Sequence, residues 1–169
     1  MKGEYDVVII GGGPIGSIAS LLLEAKGLSV ALIERNTVPY PFPRAIALNG
    51  FSMGLVKDLI GPELWSEFEF TPGIHVGYVL NKDKMDEPFG LMQPPVIEGK
   101  ILDNDSFGFL NWFNQPQLEG LLRRSIEDRD GITTLYGHEA LVLWEDDLNF
   151  VRVQELSTGE SFDISGKYL

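Results

Sequence analysis

The sequence predicts an α/β protein with a parallel sheet of the Rossmann type, extended by an antiparallel β-meander and by a partial β insertion. Three observations support this fold class. An apolar strand runs into a glycine turn near the N-terminus, a helical pattern and a second strand follow within about thirty residues, and the stretch from residue 132 onward alternates as short strands. The order strand, turn, helix, strand is typical of a nucleotide-binding βαβ unit.

The elements of this unit follow from the apolar pattern. Residues 5–10 form a near-continuous apolar run, as expected for a strand that is buried on both faces of a parallel sheet. A helix is predicted over residues 14–26, with Pro14 in its first turn and Gly27 just after its end. Its apolar positions at helical spacing are Ile15, Ile18, Leu22 and Ala25. A second buried strand is predicted over residues 28–33 and ends on Glu34.

The turn after the first strand carries the spacing G-x-G-x-x-G. In such a turn the first glycine permits a tight bend, the second lets the backbone approach a pyrophosphate, and the third lets helix and strand pack closely. The helix N-terminus directs unpaired N–H groups and a partial positive charge at the same place. The alternative is a glycine-rich turn that binds nothing. The candidate binding residues of the turn are Gly11, Gly13, Pro14, Ile15 and Gly16.

Glu34 stands at the tip of the second strand, where a carboxylate can accept hydrogen bonds from both ribose hydroxyls of a nucleotide. Its charge repels a 2′-phosphate, which disfavours NADP in this position. Residues 6–35 resemble the N-terminal fingerprint of FAD-binding oxidoreductases of the glutathione-reductase type, which carry GGGPxG, a glycine before the second strand, and Glu-Arg or Glu-Lys at its end. The resemblance implies FAD as the cofactor and an FAD-type sheet, and it adds Arg35 to the candidate binding residues.

A proline-rich loop follows, with prolines at positions 39, 41 and 43, and it leads to Arg44. The planar guanidinium of an arginine matches phosphate oxygens, although a surface arginine paired with any of the acids is the alternative. The segment "PRAIAL" resembles the corresponding segment of the class A flavoprotein aromatic hydroxylases, and this implies that Arg44 contacts FAD. A helix with Asn49 as N-cap is predicted next, ending at Gly61. Its inward-facing residues are predicted to be Met53, Val56, Leu59 and Ile60.

A second match to the same hydroxylases lies in residues 108–132. Asn114 is expected to cap a helix that has Pro116 in its first turn and ends at Gly131. Its buried face is predicted to hold Leu118, Leu121, Leu122, Ser125 and Ile126. The helix resembles the family's "QPxLExxLR" helix, whose glutamine reaches the ribityl–pyrophosphate region of the flavin, and this role is assigned to Gln117. Two alternatives stay open: Gln117 is a simple capping residue, or Gln115 has the role instead.

The resemblance divides the chain into three parts. Residues 1–70 are the first part of the FAD-binding domain, residues 71–110 are a partial substrate-domain β segment, and residues 111–169 continue the FAD-binding domain. Strands are expected near residues 74–80, and "DNDS" at 103–106 is expected to be a turn. From residue 132, short strands predict a three-stranded meander, and Lys167 is expected to begin another buried strand.

The chain is expected to stop before the family's Asp-Gly motif. It should therefore bind FAD weakly or through the ADP half only, self-associate or be marginally stable, and catalyse no hydroxylation alone.

Composition restricts the partners. A net charge of −12 argues against general binding of nucleic acid or of an anionic membrane, but not against one anionic ligand in a local site. The sequence has no cysteine and no apolar run long enough for a membrane span, which favours a soluble, cytoplasmic protein. His75 and His138 stand alone, so no metal site is predicted.

The resemblance implies a flavin-dependent monooxygenase that hydroxylates a phenolic or related aromatic substrate with NADH or NADPH and oxygen. The flavin supplies that chemistry, so no catalytic residue is assigned. A homo-oligomer is left open. The rival interpretations are another FAD-dependent oxidoreductase, such as a halogenase or a reductase, and a non-catalytic nucleotide-binding fragment.

Overall fold

The computed structural model describes residues 3–42, 44–73, 77–79, 90–92, 96–97, 100–101, 110–145 and 149–169. These residues fall into two compact units, the first made of residues 1–44, 59–68 and 115–169 and the second of residues 45–58 and 69–114. In chain order the elements are β1 (Gly3–Ile10), α1 (Pro14–Glu24), β2 (Val30–Glu34), β3 (Ala47–Asn49), α2 (Gly50–Glu67), β4 (Phe70–Gly73), β5 (Gly77–Val79), β6 (Gly90–Met92), β7 (Val96–Ile97), β8 (Lys100–Ile101), β9 (Leu110–Phe113), α3 (Gln115–Glu127), β10 (Ile132–Tyr136), β11 (His138–Glu145), β12 (Asn149–Glu155) and β13 (Ser161–Tyr168).

A six-stranded sheet forms the centre of the first unit, in the order β10-β2-β1-β13-β12-β11. The pairs β10–β2, β2–β1 and β1–β13 are parallel, whereas β13–β12 and β12–β11 are antiparallel. The predicted fold class, a parallel sheet with a three-stranded meander, is therefore confirmed. The core of the sheet is filled by apolar, mostly β-branched side chains, as is typical of strands that are buried within a sheet. The core cluster is Val8, Ala31, Ile33, Val151, Val153 and Ile164.

The end of the chain differs from its prediction. Lys167 does not begin a new strand, because residues 161–168 form one continuous strand, β13. This strand pairs with β12 on one side and with β1 on the other, so Gly166 lies opposite both Asn149 and Tyr5. An added Cβ at Gly166 would lie 2.8 Å from the side chain of Val8. Close packing inside the sheet therefore requires a glycine at this position.

The buried face of α1 also differs from the apolar pattern. Ile15 is 81% exposed and Leu22 is 37% exposed, whereas Ser17, Ser20 and Leu21 are buried. The two serine hydroxyls donate to main-chain carbonyls nearby, Ser17 to Gly12 at 3.2 Å and Ser20 to Gly16 at 2.8 Å. The two serines can thus lie on the buried face of α1, because they are small and their hydroxyl groups are hydrogen-bonded.

Helix α2 begins as predicted, because the Asn49 side chain accepts a hydrogen bond from the Ser52 N–H at 2.8 Å. The predicted break is present at Gly61, where φ is +77° and ψ is 169°, and Pro62 opens the second segment. The inward-facing residues Met53, Val56, Leu59 and Ile60 are all buried.

The second unit contains the first half of α2 and several short strands. A three-stranded antiparallel sheet has the order β3-β9-β4, and two further antiparallel pairs join β5 with β6 and β7 with β8. Of the strand expected near residues 74–80, the structure contains residues 77–79 as β5. Pro43, Ile74, His75 and the turn expected at 103–106 lie outside the described residues.

Helix α3 packs against α1 in the first unit. Its predicted apolar face is buried as expected, and the same helix also buries Gln115, Glu119 and Arg123. It ends at Glu127 and not at Gly131, because the N–H of Arg129 turns back to the carbonyl of Ile126 at 3.0 Å. Among the helices in the described part of the chain, none is long and apolar enough to cross a membrane.

Candidate functional site

The glycine turn between β1 and α1 uses its glycines for different reasons. Gly11 has a φ of +108°, which side-chain-bearing residues rarely adopt. An added Cβ would lie 1.8 Å from the carbonyl oxygen of Gly11 if placed on Gly16, and 2.7 Å from the Cβ of Glu34 if placed on Gly12. Gly13 is different, because its backbone is ordinary and extended and an added Cβ would meet no protein atom within 4 Å. The fold therefore requires a glycine at positions 11, 12 and 16, and does not require one at position 13.

The N-terminus of α1 opens directly beside Gly13. Gly13 is the N-cap and makes no side-chain capping bond, and Pro14 occupies the first turn. The first intrahelical bond runs from the Ser17 N–H to the Gly13 carbonyl at 3.0 Å, so the N–H groups of Ile15 and Gly16 have no partner within the helix. The first turn holds no acidic residue. The helix end is thus a site of partial positive charge that can accept an anion.

The Glu34 carboxylate lies next to the turn and is held on both of its oxygens. Oε2 accepts the Gly12 N–H at 2.8 Å, and Oε1 accepts the N–H and the side-chain Nδ2–H of Asn36, both at 2.7 Å. An ionised carboxylate has about four acceptor positions, so these three donors leave capacity for a further donor such as a ribose hydroxyl.

The opposite wall is built from the loop that follows β2 and from α3. The Arg44 N–H donates to Oε1 of Gln115 at 2.8 Å, and Nε2 of Gln115 donates to Oε1 of Glu119 at 2.6 Å. The Arg44 guanidinium lies over the ring of Tyr40, with 4.7 Å between Cζ and the ring centroid. A main-chain bond therefore fixes the position of Arg44, while its charged group is directed by an aromatic ring.

Between these walls lies a cavity of about 400 Å³ within the first unit. Its lining residues are Ile10, Gly11, Gly13, Pro14, Ile33, Glu34, Arg35, Asn36, Tyr40, Arg44, Gln115, Glu119, Arg123, His138, Glu139 and Ala140. Three arginines and three glutamates contribute formal charges that cancel, in a chain whose net charge is −12. The cavity is thus much less negative than the chain as a whole, and its helix N-terminus and the Arg44 guanidinium can hold an anionic ligand.

Six of the nine residues predicted from the sequence line this cavity, namely Gly11, Gly13, Pro14, Glu34, Arg35 and Arg44. The other three, Ile15, Gly16 and Gln117, do not belong to the lining formed by the described residues. Gln117 donates from Nε2 to the carbonyl of Glu67 at 3.2 Å. The glutamine at the cavity is Gln115, which was the open alternative.

The sequence prediction missed several lining residues, above all Glu119 and Arg123. A signal for them was present, because Gln115, Glu119 and Arg123 are spaced by four and so lie along one side of α3. The prediction instead used the apolar residues of the same helix, which face the core, and so overlooked this polar side. Tyr40 and Asn36 could not be found in this way, since they lie in a loop without periodicity.

His138 lies in the cavity wall, where Nδ1 is 2.8 Å from the carbonyl oxygen of Tyr136 and the ring meets Phe162 edge to face. A carbonyl oxygen only accepts hydrogen bonds, so Nδ1 is the protonated ring nitrogen. In the ranges that the structure describes, no group of His, Asp and Glu residues could hold a metal ion.

Comparison with known proteins gives a consistent result. A family model described as an FAD binding domain matches residues 4–169. The 3-(3-hydroxy-phenyl)propionate/3-hydroxycinnamic acid hydroxylase 1 of Burkholderia vietnamiensis is 30% identical over 143 residues, which are 80% of this chain and 20% of that protein. A 1H-pyrrole-2-carbonyl-[peptidyl-carrier protein] brominase of Pseudoalteromonas luteoviolacea is 37% identical over 87 residues, which are 50% of this chain and 21% of that protein.

Solved structures share the fold. The flavin-dependent monooxygenase PieE, crystallised with FAD and substrate, superimposes with a TM-score of 0.73 at 24% identity, over 98% of this chain and 29% of that one. The chain therefore spans between a fifth and three tenths of the length of the proteins that it matches here.

Proposed function

Since this chain belongs to the family of FAD binding domains, whose model matches residues 4–169, we propose that the cavity of the first unit binds the ADP half of FAD. The observation that carries this proposal is Gly13. A Cβ at this position would meet no protein atom and would project into the open space of the cavity. The packing of the fold therefore does not require a glycine there. A ligand that approaches the backbone at Gly13 supplies the missing reason.

The walls of the cavity fit the parts of ADP. The N-terminus of α1 and the Arg44 guanidinium provide positive charge for the pyrophosphate. Glu34, held by Gly12 and Asn36, provides acceptor capacity for the ribose hydroxyls. Among the glutamines we assign the contact with the cofactor to Gln115, because it lines the cavity and Gln117 does not. Arg35, which is exposed and 3.9 Å from Glu139, borders the same cavity and completes the set.

We further propose that the protein to which this FAD-binding chain belongs is a flavin-dependent monooxygenase that hydroxylates a phenolic or related aromatic compound. The hydroxylase relative supports this substrate class. Bound FAD supplies the redox and oxygen chemistry, while the residues of this chain bind and orient its nucleotide part. The same proposal includes NADH or NADPH as the reductant, a cytoplasmic location, where both are supplied, and a substrate-domain role for residues 71–110. The brominase relative makes flavin-dependent halogenation the second candidate.

Two measurements test these proposals. Equilibrium dialysis with FAD should show one bound flavin per chain, which excess ADP displaces; flavin that ADP does not displace would contradict binding through the ADP half. This chain is expected to catalyse no hydroxylation alone, so oxidation of NADH and NADPH should be followed in a protein of the relatives' full length that contains it, with a panel of phenols and with bromide present. A product that has gained an oxygen atom supports the hydroxylase, and one that has gained bromine supports the halogenase.

A further inference from the structure

Helix α3 carries a buried polar stripe, which we define as Gln115, Glu119 and Arg123. Their exposed fractions are only 6%, 4% and 7%. Polar and charged groups are costly to bury unless hydrogen bonds compensate for the lost water. The contacts made by this stripe therefore indicate what it holds in place.

Arg123, at one end of the stripe, binds main-chain carbonyls of a distant turn. Its Nη1 donates to the carbonyl of Thr37 at 2.8 Å, and its Nη2 makes a longer contact of 3.5 Å with the carbonyl of Asn36. The guanidinium lies over the ring of Tyr136, with 4.3 Å between Cζ and the ring centroid. The planar fork is thus fixed by a ring on one face and by two carbonyls at its tip.

The same turn holds the Glu34 carboxylate. The N–H and the side-chain amide of Asn36 donate to Oε1 of Glu34, and the Gly12 N–H donates to Oε2. A continuous series of contacts therefore runs from Arg123 through Asn36 to Glu34 and the glycine turn. At the other end of the stripe, about 12 Å away by the helix rise, Gln115 binds the Arg44 N–H. The stripe anchors both ends of the loop between Asn36 and Arg44.

We propose that Arg123 is a positioning residue for the ribose end of the nucleotide site. It fixes the Asn36–Thr37 turn so that Asn36 orients the Glu34 carboxylate towards the ribose hydroxyls. This inference rests on the proposed function of Glu34 as the ribose acceptor. Arg123 itself acts on the protein backbone, so its effect should appear in discrimination for the ribose and not in affinity for the phosphates.

The experiment compares the affinities of the chain for ADP, 2′,3′-dideoxy-ADP and inorganic pyrophosphate by calorimetric titration. The wild type should prefer ADP over the dideoxy compound by about tenfold, which is typical of hydrogen bonds to a charged group. Arg123→Met should reduce this preference to less than about threefold while changing the pyrophosphate affinity by less than about twofold. Arg123→Lys keeps the charge without the fork and should give an intermediate preference.

Arg124→Met is the matched control, because Arg124 is the next residue of α3 and pairs with Glu67 at the surface. It should keep the wild-type preference. A wild type that does not discriminate between the two nucleotides would overturn both the role of Glu34 and the inference. A wild type that discriminates, together with Arg123→Met and Arg123→Lys variants that discriminate equally, would overturn the inference alone. If Arg123→Met does not fold, an unchanged preference in Arg123→Lys has the same meaning.

Discussion

The two walls of the cavity are built in different ways. The glycine wall, formed by residues 11–16 and Glu34, comes from one continuous βαβ unit and works mainly through backbone conformation and close packing. The helix wall, formed by the loop 36–44 and the polar stripe of α3, is assembled by hydrogen bonds between residues 71 to 87 positions apart. In the glycine wall the protein leaves no room for a side chain at positions 12 and 16 but leaves open space at position 13, whereas the helix wall depends on particular side chains.

This difference predicts how each wall responds to substitution. A change in the glycine wall should act on the fold or on the ligand, depending on what lies where the new Cβ would be. A change in the helix wall should leave the fold in place and adjust affinity, because the sheet and its core are formed elsewhere.

Gly16→Ala should lower the free energy of unfolding by about 3 kcal/mol or more, since its Cβ would lie 1.8 Å from the Gly11 carbonyl oxygen and the backbone cannot easily yield. Urea denaturation measures this loss. Gly120→Ala is the matched control, because it lies in the interior of α3 with open space around its Cβ. The control should be about 0.5–1 kcal/mol more stable than the wild type. Equal stabilities of the two variants would contradict the packing role of Gly16.

Gly13→Val should reduce the affinity for ADP by tenfold or more, about 1.4 kcal/mol, because the backbone could no longer come close to the pyrophosphate. The fold should survive, since the Cβ meets no protein atom and only a preferred N-cap residue is lost, at about 1 kcal/mol. Gly13→Ser, which restores a good N-cap, should be as stable as the wild type and still bind poorly. Wild-type affinity in either folded variant would refute the site.

Arg44→Ala should weaken ADP binding by about five- to tenfold, roughly 1 to 1.4 kcal/mol, and should lessen its dependence on salt. The loop should stay anchored in this variant, because Gln115 binds the main-chain N–H of Arg44 and not its side chain. Titration at low and high ionic strength is the appropriate measurement. An unchanged salt dependence would show that the guanidinium does not meet the pyrophosphate.

Gln115→Ala and Gln117→Ala form a matched pair within one helical turn. We expect Gln115→Ala to weaken FAD binding by about three- to fivefold, since it removes a group from the cavity wall and the bond that fixes Arg44. Gln117→Ala should remain within about twofold of the wild type. A larger loss of FAD affinity in Gln117→Ala than in Gln115→Ala would instead assign the family's glutamine role to Gln117.

The smallest effect lies outside both walls, where Asp6 of β1 contacts Ser29, the residue before β2, and Lys167 of β13. Hydrogen bonds from Lys167, and then from the main chain and side chain of Ser29, lower the pKa of Asp6 from 3.8 to about 2. The carboxylate therefore stabilises the fold fully above the ordinary pKa, and this contribution is lost as the pH falls towards 2. Asp6→Asn should be less stable than the wild type at neutral pH, and the difference should vanish near pH 2. A difference that does not change with pH would exclude this linkage.

The sequence alone predicted the glycine wall well, because its spacing is local: a strand, three glycines and a terminal glutamate define it without reference to distant residues. The helix wall was predicted only in part. Residues 115 and 117 are separated by about 200° around a helix, so the choice between them depends on the exact position of α3. Ile15 was placed at the site by its position in the motif, although its side chain is exposed. The sequence could not predict that β13 is one continuous strand, because β13 pairs with β12 on one side and with β1 on the other, and no local pattern of the chain reveals these partners.

Binding of the ADP half of FAD by the cavity is tested most directly by titrating the wild-type chain with FAD, ADP and FMN under the same conditions. We predict that FAD and ADP bind one per chain with affinities within about threefold of each other, and that FMN binds at least about tenfold more weakly. FMN that binds as tightly as FAD, or ADP that does not bind, would contradict the assignment of the cavity.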